Sequence, residues 1–224
     1  MDESESDVRP VGLVILAAGA SARLGQPKQL LPYRGRTLLR HAAETAVASN
    51  CRPVVVVLGA HVAQLEGEVQ DLPVHVAENP RWILGMSTSL HAGLGLLTTL
   101  QPEVGAAVIT LCDQPLLSVR TIHALVKAHR DARHLIVASE YGGVLGVPAL
   151  FDRTLFGELL ALTGTDGAKQ IIARHPADVC GVPFPEGAMD IDTPEDYDQL
   201  RAVDEDCDGV EAADQVHRML EERA

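Results

Sequence analysis

Aromatic residues are scarce in this chain: one Trp, three Tyr and three Phe among 224 residues. A chain of this length can bury a sizeable core, but Val, Leu, Ile and Ala must build it, and an apolar content of 46% allows that. No run approaches the ~18 apolar residues of a membrane helix, so no membrane partner is expected. A basic excess is also missing. The net charge of −13 excludes the broad cationic face of a nucleic-acid binder. Cys51, Cys112, Cys180 and Cys207 lie far apart, and none falls in a Cys-x-x-Cys or Cys/His zinc spacing. Reduced, non-liganding thiols are expected, with Cys112 a small buried residue at a strand end. The N-terminal Met-Asp-Glu-Ser-Glu-Ser-Asp lacks the cationic start of a signal peptide, and a cytoplasmic location is expected.

The negative charge is concentrated at the ends. Residues 1–10 hold four acids and one base, and residues 204–224 hold eight acids and two bases, which leaves −4 for residues 11–203. The expected organisation is an acidic tail over 1–9, one domain over 10–202, and an acidic tail over 203–224 with a short amphipathic helix near Val210–Leu220. Within the domain, a first part over 10–118 and a second part over 119–202 are expected. An acidic body that binds a polyanion must concentrate cations locally or recruit a metal ion.

Against this background one stretch stands out: Leu16-Ala-Ala-Gly-Ala-Ser-Ala-Arg-Leu-Gly-Gln-Pro-Lys28. It follows an apolar run, Val11–Leu16, that reads as a buried strand. Small residues let a backbone approach phosphates, amide N–H groups line the turn, and Arg23 and Lys28 complete a cationic cradle. It is not a P-loop, because Lys28 comes three residues after Gly25 and is followed by Gln29 instead of Ser or Thr. It is not a dinucleotide fingerprint, because Gly-x-Gly-x-x-Gly is absent and Pro27 and Pro32 block a continuous helix.

Apolar strands alternate with helical spacings along the chain. Strands are expected at Val11–Ala17, Val54–Leu58, Val74–Ala77, Ala106–Leu111 and Leu135–Ser139, with further candidates at Val179–Val182 and Met189–Ile191. Helices are expected at Thr37–Ser49, His61–Val69, Ser87–Leu97 (capped by Ser87), Val119–His129, Asp152–Leu162 and Pro194–Leu200, with a short one after Gly164-Thr-Asp-Gly-Ala-Lys169. Gly142-Gly143 reads as a turn. The fold class implied is α/β: three layers, a mostly parallel twisted sheet with helices on both faces. Ligands in such sheets bind beyond the carboxyl ends of the strands. The Gly19 loop, the Asn79–Ser89 segment and Asp113 should therefore meet at one edge.

Asp113 ends an apolar strand, where a carboxylate either holds Mg2+ or initiates the Gln114-Pro115 bend. Asp190 and Asp192 fall on one face if their strand continues, so spacing alone admits either as a second ligand. Glu195 and Asp196 suit a helix start. Ser87 serves equally as a helix cap or a nucleoside contact, and Trp82 walls the pocket or, by the stronger default, packs in the core. Lys169 near a helix N-terminus suits an acceptor phosphate as well as plain solvent.

The wording of these segments resembles the MobA-like nucleotidyltransferases, and most closely their molybdenum cofactor cytidylyltransferase branch. The resemblance is carried by residues 16–33, by Asn79-Pro-x-Trp82-x-x-Gly85-Met-Ser-x-Ser89, by Asp113-Gln-Pro-Leu-Leu, by Gly164-x-Asp166-Gly-Ala-Lys169 and by Asp190-Ile-Asp192-Thr-Pro-Glu-Asp-Tyr197, together spanning about residues 11–200. It implies a Rossmann-like nucleotidyltransferase fold and Mg2+-dependent transfer of CMP from CTP to the phosphate of molybdopterin, with pyrophosphate released. It implies nucleotide contacts from Leu16, Ala17, Ala18, Gly19, Ala20, Arg23, Lys28, Gly85, Ser87 and Ser89. Catalysis would fall to Arg23, Lys28 and Asp113, metal binding to Asp113 and Asp192, and acceptor binding to Lys169. Transient contact with a molybdenum hydroxylase or its accessory proteins is a further implication. GTP in place of CTP, a sugar or alcohol phosphate as acceptor, and a non-catalytic cofactor chaperone are the alternatives. Where family members often carry histidine before the proline of the Gly-x-Pro block, this chain has Val147.

Overall fold

A computed structural model describes residues 9–132 and 134–205. The chain opens with β1 (Val11–Ala17), followed by a small hairpin of β2 (Pro32–Tyr33) and β3 (Arg36–Thr37). Helix α1 (Leu38–Ala48) leads to β4 (Val54–Leu58), and the short α2 (Val62–Leu65) leads to β5 (His75–Glu78). Next come α3 (Met86–Leu100), β6 (Ala106–Leu111) and α4 (Val119–Ala132). Strands β7 (Ile136–Tyr141) and β8 (Val144–Asp152) turn at Gly142-Gly143. Helices α5 (Phe156–Ala161) and α6 (Ala168–Arg174), strand β9 (Val179–Pro183) and helix α7 (Pro194–Glu205) complete the described chain.

Seven strands form one sheet in the order β5-β4-β1-β6-β8-β7-β9. All neighbours are parallel except β8, which runs antiparallel to both β6 and β7. The chain moves outward from β1 through β4 to β5, then returns to place β6 on the other side of β1. The carboxyl ends of β1 and β6 therefore flank a topological switch point, where open α/β sheets form a crevice.

Alternation along the central strands sorts the core into two layers. Leu13, Ile15, Val54, Val56 and Val108 pack with Leu39, Ala43, Ile122 and Leu125 of α1 and α4. Val14, Leu16, Val55, Val57 and Ile109 pack with Leu90, Leu94, Leu159 and Ile171 of α3, α5 and α6. Helix α3 comes very close to the sheet at Gly93, where a Cβ would lie 2.4 Å from Val14 Cγ1. A third cluster joins Leu31, Tyr33 and Leu38 to Ile191 and Leu200, and the Tyr197 hydroxyl donates to the Pro32 carbonyl at 2.7 Å. Helix α7 is thereby fastened beside the loop that follows β1. Among the described residues, no helix is long and apolar enough to cross a membrane.

Several local expectations change. Helix α1 begins after Thr37, whose hydroxyl accepts the Arg40 N–H as a cap. The helix expected over His61–Val69 shortens to α2 plus a 3-10 turn at Glu66–Glu68. Helix α3 starts at Met86 with Gly85 at its N-cap, so Ser87 lies inside the helix and does not cap it. Residues 144–152 are a strand, and Asp152 ends it by accepting the Thr154 N–H. No strand forms at Met189–Ile191. Helix α7 continues past Leu200, while the expected helix near 210–220 lies outside the described residues, as does Cys207.

Candidate active site

The loop after β1 is held by one buried glutamine. The Gln29 amide donates to the Ala17 carbonyl at 2.9 Å and to the Gly19 carbonyl at 2.8 Å. The Ala18 carbonyl between them accepts the Ala60 N–H at 3.0 Å. Ser21, in the left-handed region at φ 56°, accepts the Lys28 N–H with its hydroxyl at 3.0 Å. The loop is therefore closed on itself, and Lys28 leaves it at a fixed point.

From there the Lys28 ammonium reaches two carboxylates. It lies 2.5 Å from Asp113 Oδ2, beyond the end of β6, and 2.9 Å from Asp192 Oδ1, ahead of α7. Arg23 Nη2 meets the other Asp192 oxygen at 2.6 Å. The Lys28 and Asp113 side chains are each only 13% exposed, so their attraction is screened far less than that of a surface pair. Burial opposes the Lys28 charge, but Asp113 and then Asp192 outweigh it and hold the ammonium well above the usual lysine range. Burial likewise pushes Asp192 up, while Lys28 and Arg23 together bring it below the ordinary carboxylate value.

Two backbone features bring Asp192 opposite Asp113. The Ile191 N–H donates to the Asp113 carbonyl at 3.1 Å, which ties the two segments together directly. Asp196 Oδ2 accepts the N–H groups of Asp192 and Thr193 and the Thr193 hydroxyl, locking the turn into α7. Between Asp190 and Asp192, the latter makes the ion pairs with Lys28 and Arg23. Asp190 is exposed, and its carboxyl is raised first by desolvation and then by the charges of Asp113 and Asp192.

The carboxylate pair suits a hard divalent ion. Asp113 Oδ1 is buried with no hydrogen-bond partner, an acceptor left open for a cation. The Lys28 ammonium already lies between both aspartates, so a positive charge is favoured there. Among the described residues, no group of three or more His, Cys, Asp or Glu side chains could hold a metal ion. Two carboxylates alone are the arrangement Mg2+ accepts when substrate phosphates supply the remaining oxygens. Burial first, and Asp113 next, push the neighbouring Cys112 thiol up to about 12, so it is a neutral wall residue.

A cavity of about 230 Å³ opens beside these groups, lined by the loop after β1, by Lys28 and Asp113, and by Trp82, Gly85, Met86 and Ser89. Leu16, Ala17, Ala18 and Gly19 line it, Ala20 does not, and Trp82 lines it while packing, half-buried, against the core. Asp192 is joined to this lining through Lys28, and Arg23, 68% exposed, reaches the site through Asp192. Ser87 faces elsewhere: its N–H and hydroxyl both donate to the Gly164 carbonyl, at 3.3 and 2.9 Å. Gly85 (φ 115°) allows this contact, since a Cβ there would sit 2.1 Å from the Gly164 oxygen. Its close approach is to the chain's own backbone. Lys169 is exposed in the first turn of α6, outside the Lys28–Asp113–Asp192 cluster. Sequence reasoning passed over Gln29, Ser21 and Asn79. The only signal for Gln29 was a polar residue opening the short apolar run that follows Lys28.

A phosphate-ready loop, two cations and two carboxylates at the switch point of a mixed α/β sheet define a nucleotidyltransferase. Residues 13–179 match the MobA-like NTP transferase domain family, and the chain belongs to that family. It is 34% identical over 207 residues to nicotine blue oxidoreductase of Paenarthrobacter nicotinovorans, covering 88% of this chain and 98% of that one. It is 33% identical over 198 residues to the purine catabolism protein PucB of Bacillus subtilis, covering 84% and 94%. The crystal structure of Rv0371C from Mycobacterium tuberculosis in complex with manganese superposes with a TM-score of 0.71 at 28% identity, covering 85% of this chain and 97% of that one. Asp192 lies beyond the span matched to the family, so its place in the site rests on the geometry.

Proposed function

We propose that this nucleotidyltransferase moves CMP from CTP to the phosphate of molybdopterin and releases pyrophosphate, using a divalent cation, Mg2+ in the cell. The observation that carries the reaction type is the joint between Lys28, Asp113 and Asp192 beside the stapled loop. The choice of cytidine and molybdopterin is supported by the sequence motifs that resemble the cytidylyltransferase branch.

In this reaction an acceptor phosphate oxygen bonds to the α-phosphorus while the bond to the bridging oxygen of pyrophosphate breaks. A phosphate nucleophile is already ionised at neutral pH, so no general base is needed. The cluster accordingly contains no serine nucleophile or histidine. Lys28 and Arg23 stabilise charge that grows on the reacting phosphoryl group and the leaving pyrophosphate. Asp113 and Asp192 would hold the cation, which when bound neutralises phosphate charge. A cavity of about 230 Å³ suits the nucleoside end, with the phosphates extending toward Lys28. The Mn2+ in a relative 28% identical supports a divalent ion.

The test is pyrophosphate release in Mg2+ with each of the four nucleoside triphosphates, with and without molybdenum cofactor. Release with CTP and cofactor is the expected result. Release with GTP alone would move the assignment to guanylyl transfer. Release only with a sugar or alcohol phosphate would replace the acceptor. Binding of cofactor without any release would leave a carrier in place of an enzyme.

A further inference from the structure

Asn79 is 2% exposed and lies just after β5, behind the cavity wall. Its amide orientation is fixed by its own contacts. Oδ1 accepts the Arg81 N–H at 3.0 Å, so the other terminus must be the NH2 group. That group has two hydrogens and two partners, Thr88 Oγ1 at 2.8 Å and Ser89 Oγ at 3.0 Å. Both hydroxyls are thereby made acceptors toward Asn79, and each must place its proton elsewhere.

For Thr88 the proton has a destination within the chain: the carbonyls of Arg81 and Gly85 lie 3.0 and 2.9 Å away. Ser89 differs. The Gly85 carbonyl, which a serine one turn along a helix would normally use, already takes the Thr88 N–H and lies against its hydroxyl. Ser89 lines the cavity, and the only hydrogen bond of its hydroxyl among the described residues is the one it accepts from Asn79. Its proton is left to the cavity.

We propose that Asn79 is a positioning residue that fixes Ser89 as a hydrogen-bond donor into the cavity, so that the site selects a ligand presenting an acceptor there, a carbonyl oxygen or an unprotonated ring nitrogen. This rests on the reading of the cavity as the nucleoside site. A ligand offering an N–H at that point meets a proton facing a proton and is rejected, because a site built for one hydrogen-bond polarity leaves a buried group unpaired with the other.

A double-mutant cycle read by calorimetric titration of CTP, with GTP in parallel, in Mg2+ and without acceptor, tests this. Ser89→Ala removes the donor. Asn79→Asp keeps the shape and the Arg81 contact but can only accept at the two hydroxyls, which draws the Ser89 proton back from the cavity. Each single change is expected to weaken CTP binding about five- to tenfold, the range of one neutral hydrogen bond. The double variant should bind within about twofold of Ser89→Ala, because Asn79 acts only through that hydroxyl. Ser89→Thr, which keeps the donor, should restore binding. If Asn79→Asp fails to fold, judged by circular dichroism, Asn79→Ala replaces it and must show the same loss of effect on the Ser89→Ala background. Full additivity of the two changes would overturn the proposal while leaving Ser89 as a ligand contact. No effect of Ser89→Ala would overturn both the proposal and the nucleoside reading of this wall.

Discussion

Replacing Lys28 with Met removes the only cation among the described residues that touches both Asp113 and Asp192. The side chains of Lys28 and Asp113 are each 13% exposed and that of Asp192 is 31% exposed. Breaking a buried ion pair by deleting one partner costs about 3–5 kcal/mol. Arg23 still holds one oxygen of Asp192, and partial solvent access screens the rest, so a loss of about 2–3 kcal/mol is expected in chelator-treated protein. For a domain of this size that corresponds to a fall of about 5–10 °C in melting temperature. The stranded carboxylates should then favour a divalent ion more than the wild type does, so Mn2+ should raise the melting temperature of Lys28→Met by more than it raises that of the wild type. Asp113→Asn placed on top of Lys28→Met should recover part of the loss, since it removes one of the two repelling charges. Scanning calorimetry of wild type and the two variants, with chelator and with Mn2+, measures all of this. A melting temperature for Lys28→Met within about 1 °C of wild type under chelator would refute the claim that the ammonium holds the site together.

Asp113→Ala should lower turnover by about 10²–10³-fold or more, measured as pyrophosphate release, while the fold persists by circular dichroism. Gly85→Ala places a Cβ 2.1 Å from the Gly164 oxygen at φ 115°; a loss of at least about 2 kcal/mol in urea unfolding is expected from such crowding in a left-handed conformation. Asp71 is held down to about 2 by its hydrogen bonds from Arg40. A depressed carboxyl contributes stability that is fully present above its unfolded value of 3.8 and is lost as the pH falls toward 2. The melting-temperature gap between wild type and Asp71→Asn should therefore be open at pH 7 and close between pH 4 and 2; a gap that stays open at pH 2 would contradict the assignment.

The central strands were legible because β-branched runs such as Val54–Leu58 have few other uses, and Asp113 was legible because it ends one of them. Strand β8 was not, because Pro148 lacks an N–H and falls inside it, next to a register irregularity at Ala138 and Ser139. Ser87 looked like a cap because serine before an apolar periodic stretch usually is one. Here the helix begins earlier, at Met86, and the hydroxyl meets a carbonyl 77 residues away. Spacing left Asp190 and Asp192 open and only the resemblance favoured Asp192; in the fold it is Asp192 that pairs with Lys28 and Arg23, across distances no local spacing encodes. Gln29 and Asn79 were passed over for a related reason. A buried amide is defined by its partners, and those partners meet only when the loop has closed.

The stapled loop also carries a consequence for sign. Three consecutive carbonyls, at Ala17, Ala18 and Gly19, are each occupied by a donor from outside the loop. Their negative ends are neutralised and turned toward Gln29 and Ala60, so they do not oppose an approaching anion. With those carbonyls occupied, the backbone of the segment presents less negative potential to an anion that approaches Arg23 and Lys28. The charge preference of the cradle is thus supplied by Arg23 and Lys28 and supported from behind by a single uncharged side chain. Gln29→Leu would free two carbonyls and weaken that support without changing the net charge of the protein.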